Sequence, residues 1–320
     1  MKAAKQCSRG VRWKRQVQLF MADRLVNCAR LYKELHDGIY KPTPVAPIKV
    51  IERGKVRWPR PVNFRDRVVQ RCICDYVLIP AVVANMTSKS SACLKGRGLS
   101  YAFDCVREIM SIAPWSAWVL QFDFSNYFAS IPTKNLLERI ERIISDKHIC
   151  GLLVDVMQNE RGLDLGSQVN QVCATWYPDD FDRHVMAMRG CVGYHRYMDD
   201  GIAVFVTKRR ALAALERLPE LALCIGLTIN SRKTHITPIK RPIVFCKARF
   251  RKRKDVVSCV IRKPQSRRSI KHLRRALRHG IDNEEGVIAS IAGYINRGDA
   301  DLTRLIDREV GDYESKWNHE

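Results

Sequence analysis

An α+β fold is what this sequence predicts, with helices and an antiparallel sheet drawn from separate stretches of chain. Three observations predict it. Two apolar, strand-like runs, "AWVLQFDF" and "CVGYHRYMDDGIAVF", each meet a cluster of polar residues, and the second reads as a β-hairpin. Stretches with apolar residues at helical spacing lie between and around those runs. Hydrophobic residues make up 46% of the 320 positions, which excludes overall disorder and allows a sizeable core in two or three subdomains.

Taken in order, residues 1–40 predict a basic helical arm, with Val17, Leu19, Phe20, Leu25, Leu31 and Leu35 on its apolar side. "KPTPVAP" breaks that helix. "IKVIERGKVRWPRPV" predicts a hairpin turning at Arg53 and Gly54. "FRDRVVQRCICDYVLIPAV" predicts a helix closed near Pro80, and "SACLKGRGLSYAFDCVREIM" a basic, glycine-punctuated loop running into another. After the first apolar strand comes a helix over 133–146, then a further apolar-and-basic segment. "RGLDLGSQVNQVCATWYPDDFDRHVMAM" predicts a loop entering one long helix, and "RRALAALERLPELALCIGL" a helix after the hairpin. Residues 240–279 hold sixteen Lys and Arg against one acid, Asp255, in a predicted strand pair and the helix "RRSIKHLRRALRHG". A mixed-charge helical tail begins near Asp282.

The net charge of +23 points to a polyanionic partner: nucleic acid, or failing that an anionic membrane surface. The first residues carry no apolar secretory region, and no apolar run approaches the ~18 residues of a membrane span. A soluble, cytoplasmic protein with no membrane partner is expected. None of the twelve cysteines forms a C-x-x-C pair, so zinc-finger spacing is absent. Most sit among apolar residues, as in "LALCIGL" and "PIVFCKARF", and are expected to be reduced, buried thiols.

Against this basic background stand Asp199 and Asp200, adjacent acids between strand-like flanks. Asp is at home in turns, so a plain hairpin turn is one reading. The other joins them to Asp123, which ends the first apolar strand. Three carboxylates on neighbouring strand ends repel one another unless cations lie between them. Two hard divalent ions, Mg2+ or in its place Mn2+, held about 4 Å apart would serve in-line phosphoryl displacement.

"YMDD" within "YHRYMDDGIAVF" and "FDFSNYFASIP" resemble two signature blocks of reverse transcriptases. "GRGLSYAFD", "GLDLGSQVNQ", "GLTINSRKTH" and "FCKARF" are similar to the family's remaining blocks and follow its order, so the resemblance covers roughly residues 45–310. It implies an RNA-directed DNA polymerase with a right-hand fold of fingers, palm and helical thumb. The implied division is a helical arm at 1–44, fingers at 45–115, palm at 116–144, an insertion at 145–165, palm again at 166–250 and thumb at 251–320. It implies Asp123, Asp199 and Asp200 as metal ligands, joined by the main-chain carbonyl of Phe124. Phe128 matches the aromatic gate that leaves no room for a ribose 2′-hydroxyl. Lys55 and Arg57 match residues that hold the triphosphate, with Arg53 and Arg60 close enough to serve instead. Lys233 matches a general acid toward pyrophosphate. Lys247 and Arg249 lie in the block that holds the primer end, Lys95 and Arg97 in a phosphate-approaching loop, and Arg267, Arg268, Lys271, Arg274 and Arg275 on the thumb.

In the loop that packs on the nascent base pair, most of the family reads Gln-Gly-x-x-x-Ser-Pro. Here Leu165, Gly166, Asn170 and Gln171 stand in that stretch. The aliphatic residue, the glycine and the closing glutamine resemble the reverse transcriptases of diversity-generating retroelements, although Asn170 replaces their usual serine. Retron-type and phage-defence enzymes share parts of the pattern. The implied partners are an RNA template, an RNA–DNA duplex, dNTPs and a small basic accessory protein. A non-catalytic RNA-binding scaffold and an RNA-templated RNA polymerase are the competing readings. The intact acid triad argues against the first and Phe128 against the second.

Overall fold

The computed structural model describes residues 1–52, 55–157, 162–254, 256–261 and 308. The N-terminal arm is three helices, α1 (Lys2–Ser8), α2 (Arg15–Ala22) and α3 (Arg24–His36), rather than one. It is no free arm: Ala3, Ala4, Val17, Phe20 and Leu31 join the main core. Phe20 meets Phe64 edge-on, with ring centroids 5.1 Å apart. The predicted hairpin follows as β1 (Val50–Glu52) and β2 (Lys55–Arg57), with Glu52 opposite Lys55.

Helix α4 (Phe64–Ile73) does not stop at Pro80. A π-helical turn (Cys74–Leu78) carries it into α5 (Ile79–Asn85). Proline occupies the first turn of α5, where its missing N–H and fixed φ cost least. The stretch Phe64–Asn85 is long and apolar enough to cross a membrane by length and composition. Here it is a core element: Phe64, Val68, Val69, Ile73, Leu78 and Val82 are buried in the main cluster. Its buried polar groups have partners, Asp66 accepting from the Tyr40 hydroxyl at 2.8 Å and the Thr43 N–H at 3.0 Å.

The central sheet contains β3 (Ser90–Ser91), β4 (Trp118–Asp123), β5 (Cys191–Tyr197), β6 (Asp200–Phe205) and β7 (His235–Pro238), in the order β3-β5-β6-β4-β7. It is antiparallel except for the short β3, which runs parallel to β5. Side chains alternate across it with period two. Val119, Ile202 and Val204 face one cluster with α6 (Leu99–Ile112), and Leu120, Phe122, Ala203 and Phe205 face the other. Apolar burial of this kind contributes about 1.5–3 kcal/mol per large side chain.

Helices α7 (Tyr127–Ser130), α8 (Thr133–Ile143) and α9 (Lys147–Met157) follow β4. The predicted long helix is two, α10 (Gln168–Trp176) and α11 (Asp179–Met186), broken at Pro178, which has no N–H for the next helical hydrogen bond and whose ψ of 16° leaves helical geometry, although Tyr177 before it is still helical. Helix α12 (Lys208–Cys224) crosses back after the hairpin. The basic block then forms a three-stranded antiparallel sheet from β8 (Ile243–Phe245), β9 (Ala248–Arg253) and β10 (Val256–Ile261). The predicted thumb helix, with Arg267, Arg268, Lys271, Arg274 and Arg275, and the predicted tail apart from residue 308 lie outside the described residues. All twelve cysteines are free thiols, but burial is less general than expected: Cys74, Cys105, Cys150 and Cys173 are buried, six are half-buried, and Cys93 and Cys224, at the end of α12, are exposed.

Candidate active site

Strands β4 and β6 pair in register so that Asp123 lies directly opposite Asp200. Facing residues of an antiparallel pair have Cα atoms about 5 Å apart. Asp199 occupies the two-residue turn joining β5 to β6, between the facing pair Tyr197 and Asp200. The other turn residue, Met198, has φ of +56°, a left-handed conformation unfavourable for a side chain of its size. The register that pairs Leu120 with Ala203 and Phe122 with Gly201 therefore brings the three acids to one corner.

The corner is electrostatically tense. Burial, and then the charges of Asp199 and Asp123, push the Asp200 carboxyl up to about 6. Burial followed by Asp123 raises Asp199. The counter-charge in place is Lys233, whose Nζ donates to Asp123 Oδ2 at 2.6 Å and whose pKa is raised chiefly by that bond. Asn230 adds its side-chain amide to Asp123 Oδ1 at 3.3 Å and its main-chain N–H to the Asp123 carbonyl at 2.8 Å. Phe124 donates its N–H to the Asp199 carbonyl at 3.3 Å. Its own carbonyl, which in an extended residue points the same way as the N–H, is on that side too.

Among the described residues, no three acidic, thiol or imidazole side chains already form a closed metal cage. A magnesium-type site needs none: such ions take one or two carboxylates, then water and substrate phosphates. Hard oxygen donors that repel one another, with an ammonium now shielding one of them, fit that requirement.

The other expected residues fall around this corner. Phe128 sits half-buried on α7, its ring 5.7 Å from Tyr127 and nearly perpendicular to it, and its carbonyl accepts from Leu163 N–H at 2.7 Å. Leu165 is half-buried and Gly166 exposed on the adjoining loop. Gly166 has φ of +112°, and a Cβ there would stand 2.8 Å from the Arg60 carbonyl oxygen, so the close approach requires glycine. Ser167 caps α10, and Asn170, fully buried, donates to the Asp164 carbonyl at 3.1 Å. Gln171 is half-buried on the first turn of α10.

Arg57 on β2 is exposed, and its charge is near enough to Asp199 to oppose, in small part, the upward push on that carboxyl. Lys55 lies two residues earlier on the same strand. Lys95 is exposed, whereas Arg97 is half-buried and spends a guanidinium N–H on the Thr87 carbonyl at 3.2 Å. Cys246 and Lys247 form the β8–β9 turn with φ of +44° and +68°, the type I′ geometry that favours Asn and Gly. The Cys246 N–H donates to Asp200, so this turn abuts the acid corner. From the turn, Arg249, Arg251 and Arg253 line the exposed face of β9.

Three features went unforeseen in the sequence. Asn230 is one. Lys252, counted above with the basic block, is buried, its Nζ donating to the carbonyls of Met110, Ser111 and Ala113 at 2.8, 2.9 and 2.5 Å. It caps the C-terminus of α6 instead of meeting a partner. The third is a fully buried ion pair between Arg196 and Asp182. A lone arginine inside a strand with apolar flanks was its only sequence signal, since a buried charge requires a partner.

The reverse transcriptase (RNA-dependent DNA polymerase) family matches residues 51–271. Among solved structures, apo telomerase from Candida tropicalis truncated from its C-terminal domain is similar at 13% identity with a TM-score of 0.48. That match covers 67% of this chain and 54% of the telomerase chain, so the chain spans about half its length. No curated protein matches the sequence.

Proposed function

The chain belongs to the reverse transcriptase family, whose members use divalent metal ions, and on that premise we propose that it is an RNA-templated DNA polymerase whose metal ligands are Asp123, Asp199 and Asp200. The observation that carries this reading is the register placing Asp123 opposite Asp200, with Asp199 in the adjoining turn, in a chain of net charge +23. When bound, two Mg2+ ions would supply activation of the primer 3′-oxygen and charge neutralisation at the leaving pyrophosphate.

The chain's own groups do the rest. The three carboxylates and the Phe124 carbonyl would hold the ions. The Cys246 N–H fixes the Asp200 carboxylate from the β8–β9 turn. Lys233, whose ammonium now pairs with Asp123 at the acid corner, is the group that would donate a proton to the leaving pyrophosphate. Arg57 and Lys55 clamp the triphosphate from the β1–β2 hairpin. Phe128 lies beneath the sugar and selects dNTPs. Leu165, Gly166 and Gln171 pack on the new base pair, where an aliphatic residue in place of an amide leaves one hydrogen bond fewer to check geometry. This last feature supports assignment to the diversity-generating type. Lys247 and the arginine row of β9 track the primer strand of an RNA–DNA duplex, gripped by shape and phosphates instead of base edges.

Primer extension on an RNA template with Mg2+ and dNTPs tests the reading. Asp199→Ala should abolish product while RNA–DNA binding is retained; an undiminished yield would refute the ligand assignment. Misincorporation opposite template adenine tests the subtype, which predicts a higher error there than at other template bases.

A further inference from the structure

Tyr194 and Arg196 point from the same face of β5, two residues apart, into the protein beneath the acid corner. Both are buried, Arg196 completely. Each of the three guanidinium nitrogens donates. Nε donates to Asp182 Oδ1 and Nη2 to Asp182 Oδ2, each at 2.7 Å, a bidentate pair with the carboxylate of α11. Nη2 also donates to the Thr175 carbonyl on α10 at 2.9 Å, and Nη1 to the Met198 carbonyl at 2.8 Å. Tyr194 completes the Asp182 carboxylate through its hydroxyl at 2.5 Å.

The Met198 contact matters because of what Met198 is. It is the residue in left-handed conformation that precedes Asp199, and such a conformation persists only where its surroundings over-determine it. Its N–H donates to the Ser91 carbonyl at 3.4 Å, and its sulfur lies 3.4 Å from the Thr175 hydroxyl oxygen. The carbonyl, the group that sets the plane of the Met198–Asp199 peptide, is held by Arg196. The same guanidinium grips α10, whose first turn carries Gln171.

We propose that Arg196, locked by Asp182, is a positioning residue that fixes the Met198–Asp199 turn and so sets both Asp199 and Asp200 relative to Asp123 and to α10. This rests on the reading of those acids as metal ligands.

The test separates position from stability. A buried ion pair can often be replaced by apolar residues of similar volume with little loss of stability. The combined variant Asp182→Leu, Tyr194→Phe, Arg196→Met should therefore still fold cooperatively, its melting temperature lowered only by the loss of a donor to the Thr175 and Met198 carbonyls, and bind RNA–DNA duplex as tightly. Its kcat for primer extension should fall by roughly 10- to 100-fold, the scale of an ångström-level misplacement, with KM for dNTP little changed. It should also require more Mg2+ for half-maximal rate. In a binding readout independent of turnover, it should show a smaller Mg2+-induced rise in melting temperature.

Arg196→Lys retains the buried charge but not the fork, and should show the same kcat and Mg2+ defects; it carries the test alone if the combined variant does not fold. Wild-type kcat and Mg2+ dependence in either folded variant would overturn the proposal. A wild-type chain without Mg2+-dependent extension would instead sink the polymerase reading, and this brace with it.

Discussion

Replacing Gly201 with alanine puts a carbon where the Phe122 ring already lies. A Cβ at Gly201 would stand 2.0 Å from Phe122 Cζ and 2.4 and 2.5 Å from the two Cε atoms, against roughly 3.5–4.0 Å for a normal carbon contact. The ring has nowhere to go. Its centroid lies 5.4 Å from that of Phe181, 5.8 Å from Phe124 and 6.1 Å from Tyr194, all buried. Strand β6 must therefore lift from β4, beginning at the residue next to Asp200. Overpacking typically costs about 1–3 kcal/mol, and three clashing ring atoms place this case at the upper end. At roughly 2–4 °C per kcal/mol, Gly201→Ala should lower the melting temperature by roughly 6–12 °C. Primer extension well below that temperature should also fall, because Asp200 leaves its place opposite Asp123. Adding Phe122→Leu removes all three clashing atoms and should recover much of the loss. Thermal melts followed by circular dichroism give the answer. A melting point for Gly201→Ala within about 1 °C of wild type, or a double variant no better than the single one, would refute the packing argument.

Burial, then the charges of Arg196, Lys89 and Arg97, hold the buried His195 down to about 3. Since that lies below the ordinary value, its neutral form's stability is intact above about pH 6.5 and is lost as the pH falls. At about 1.4 kcal/mol per pH unit, the loss at pH 5 is about 2 kcal/mol. Urea unfolding at pH 7 and pH 5 should show that extra loss in the wild type and not in His195→Gln; equal pH dependence would contradict it. Lys252→Met should cost about 3 kcal/mol by uncapping α6, with duplex affinity unchanged; weakened binding without destabilisation would return Lys252 to the nucleic-acid surface. Phe128→Ala should relax discrimination against rNTPs by about 10²-fold in competition assays, and unchanged discrimination would remove Phe128 from the sugar pocket.

The acid corner was legible in advance because strand ends are written locally: each acid abuts an apolar run of alternating faces, and antiparallel pairing does the rest. The pairing of β1 with β2 was legible for the same reason, while the predicted turn residues Arg53 and Gly54 lie outside the described residues. What escaped detection depends on partners far away in the chain. Arg196 reads as one more cation until Asp182 arrives from α11, 14 residues upstream. Lys252 sits among basic neighbours, and only the strand alternation of β9, with Ala248, Phe250 and Lys252 inward, separates it from Arg249, Arg251 and Arg253. Pro80 was read as a stop because an internal proline breaks an ordinary helix; a π turn just before it changes which N–H is required. Cys224 lies among apolar letters, yet the helix turns it outward.

The most direct measurement is anomalous diffraction from crystals grown with Mn2+, an RNA–DNA primer–template and a non-hydrolysable dNTP analogue. Anomalous density should lie between the carboxylates of Asp123 and Asp200, with Lys233 withdrawn from Asp123 toward the triphosphate. Manganese bound elsewhere, with the Lys233–Asp123 pair still closed over an ordered nucleotide, would contradict the account.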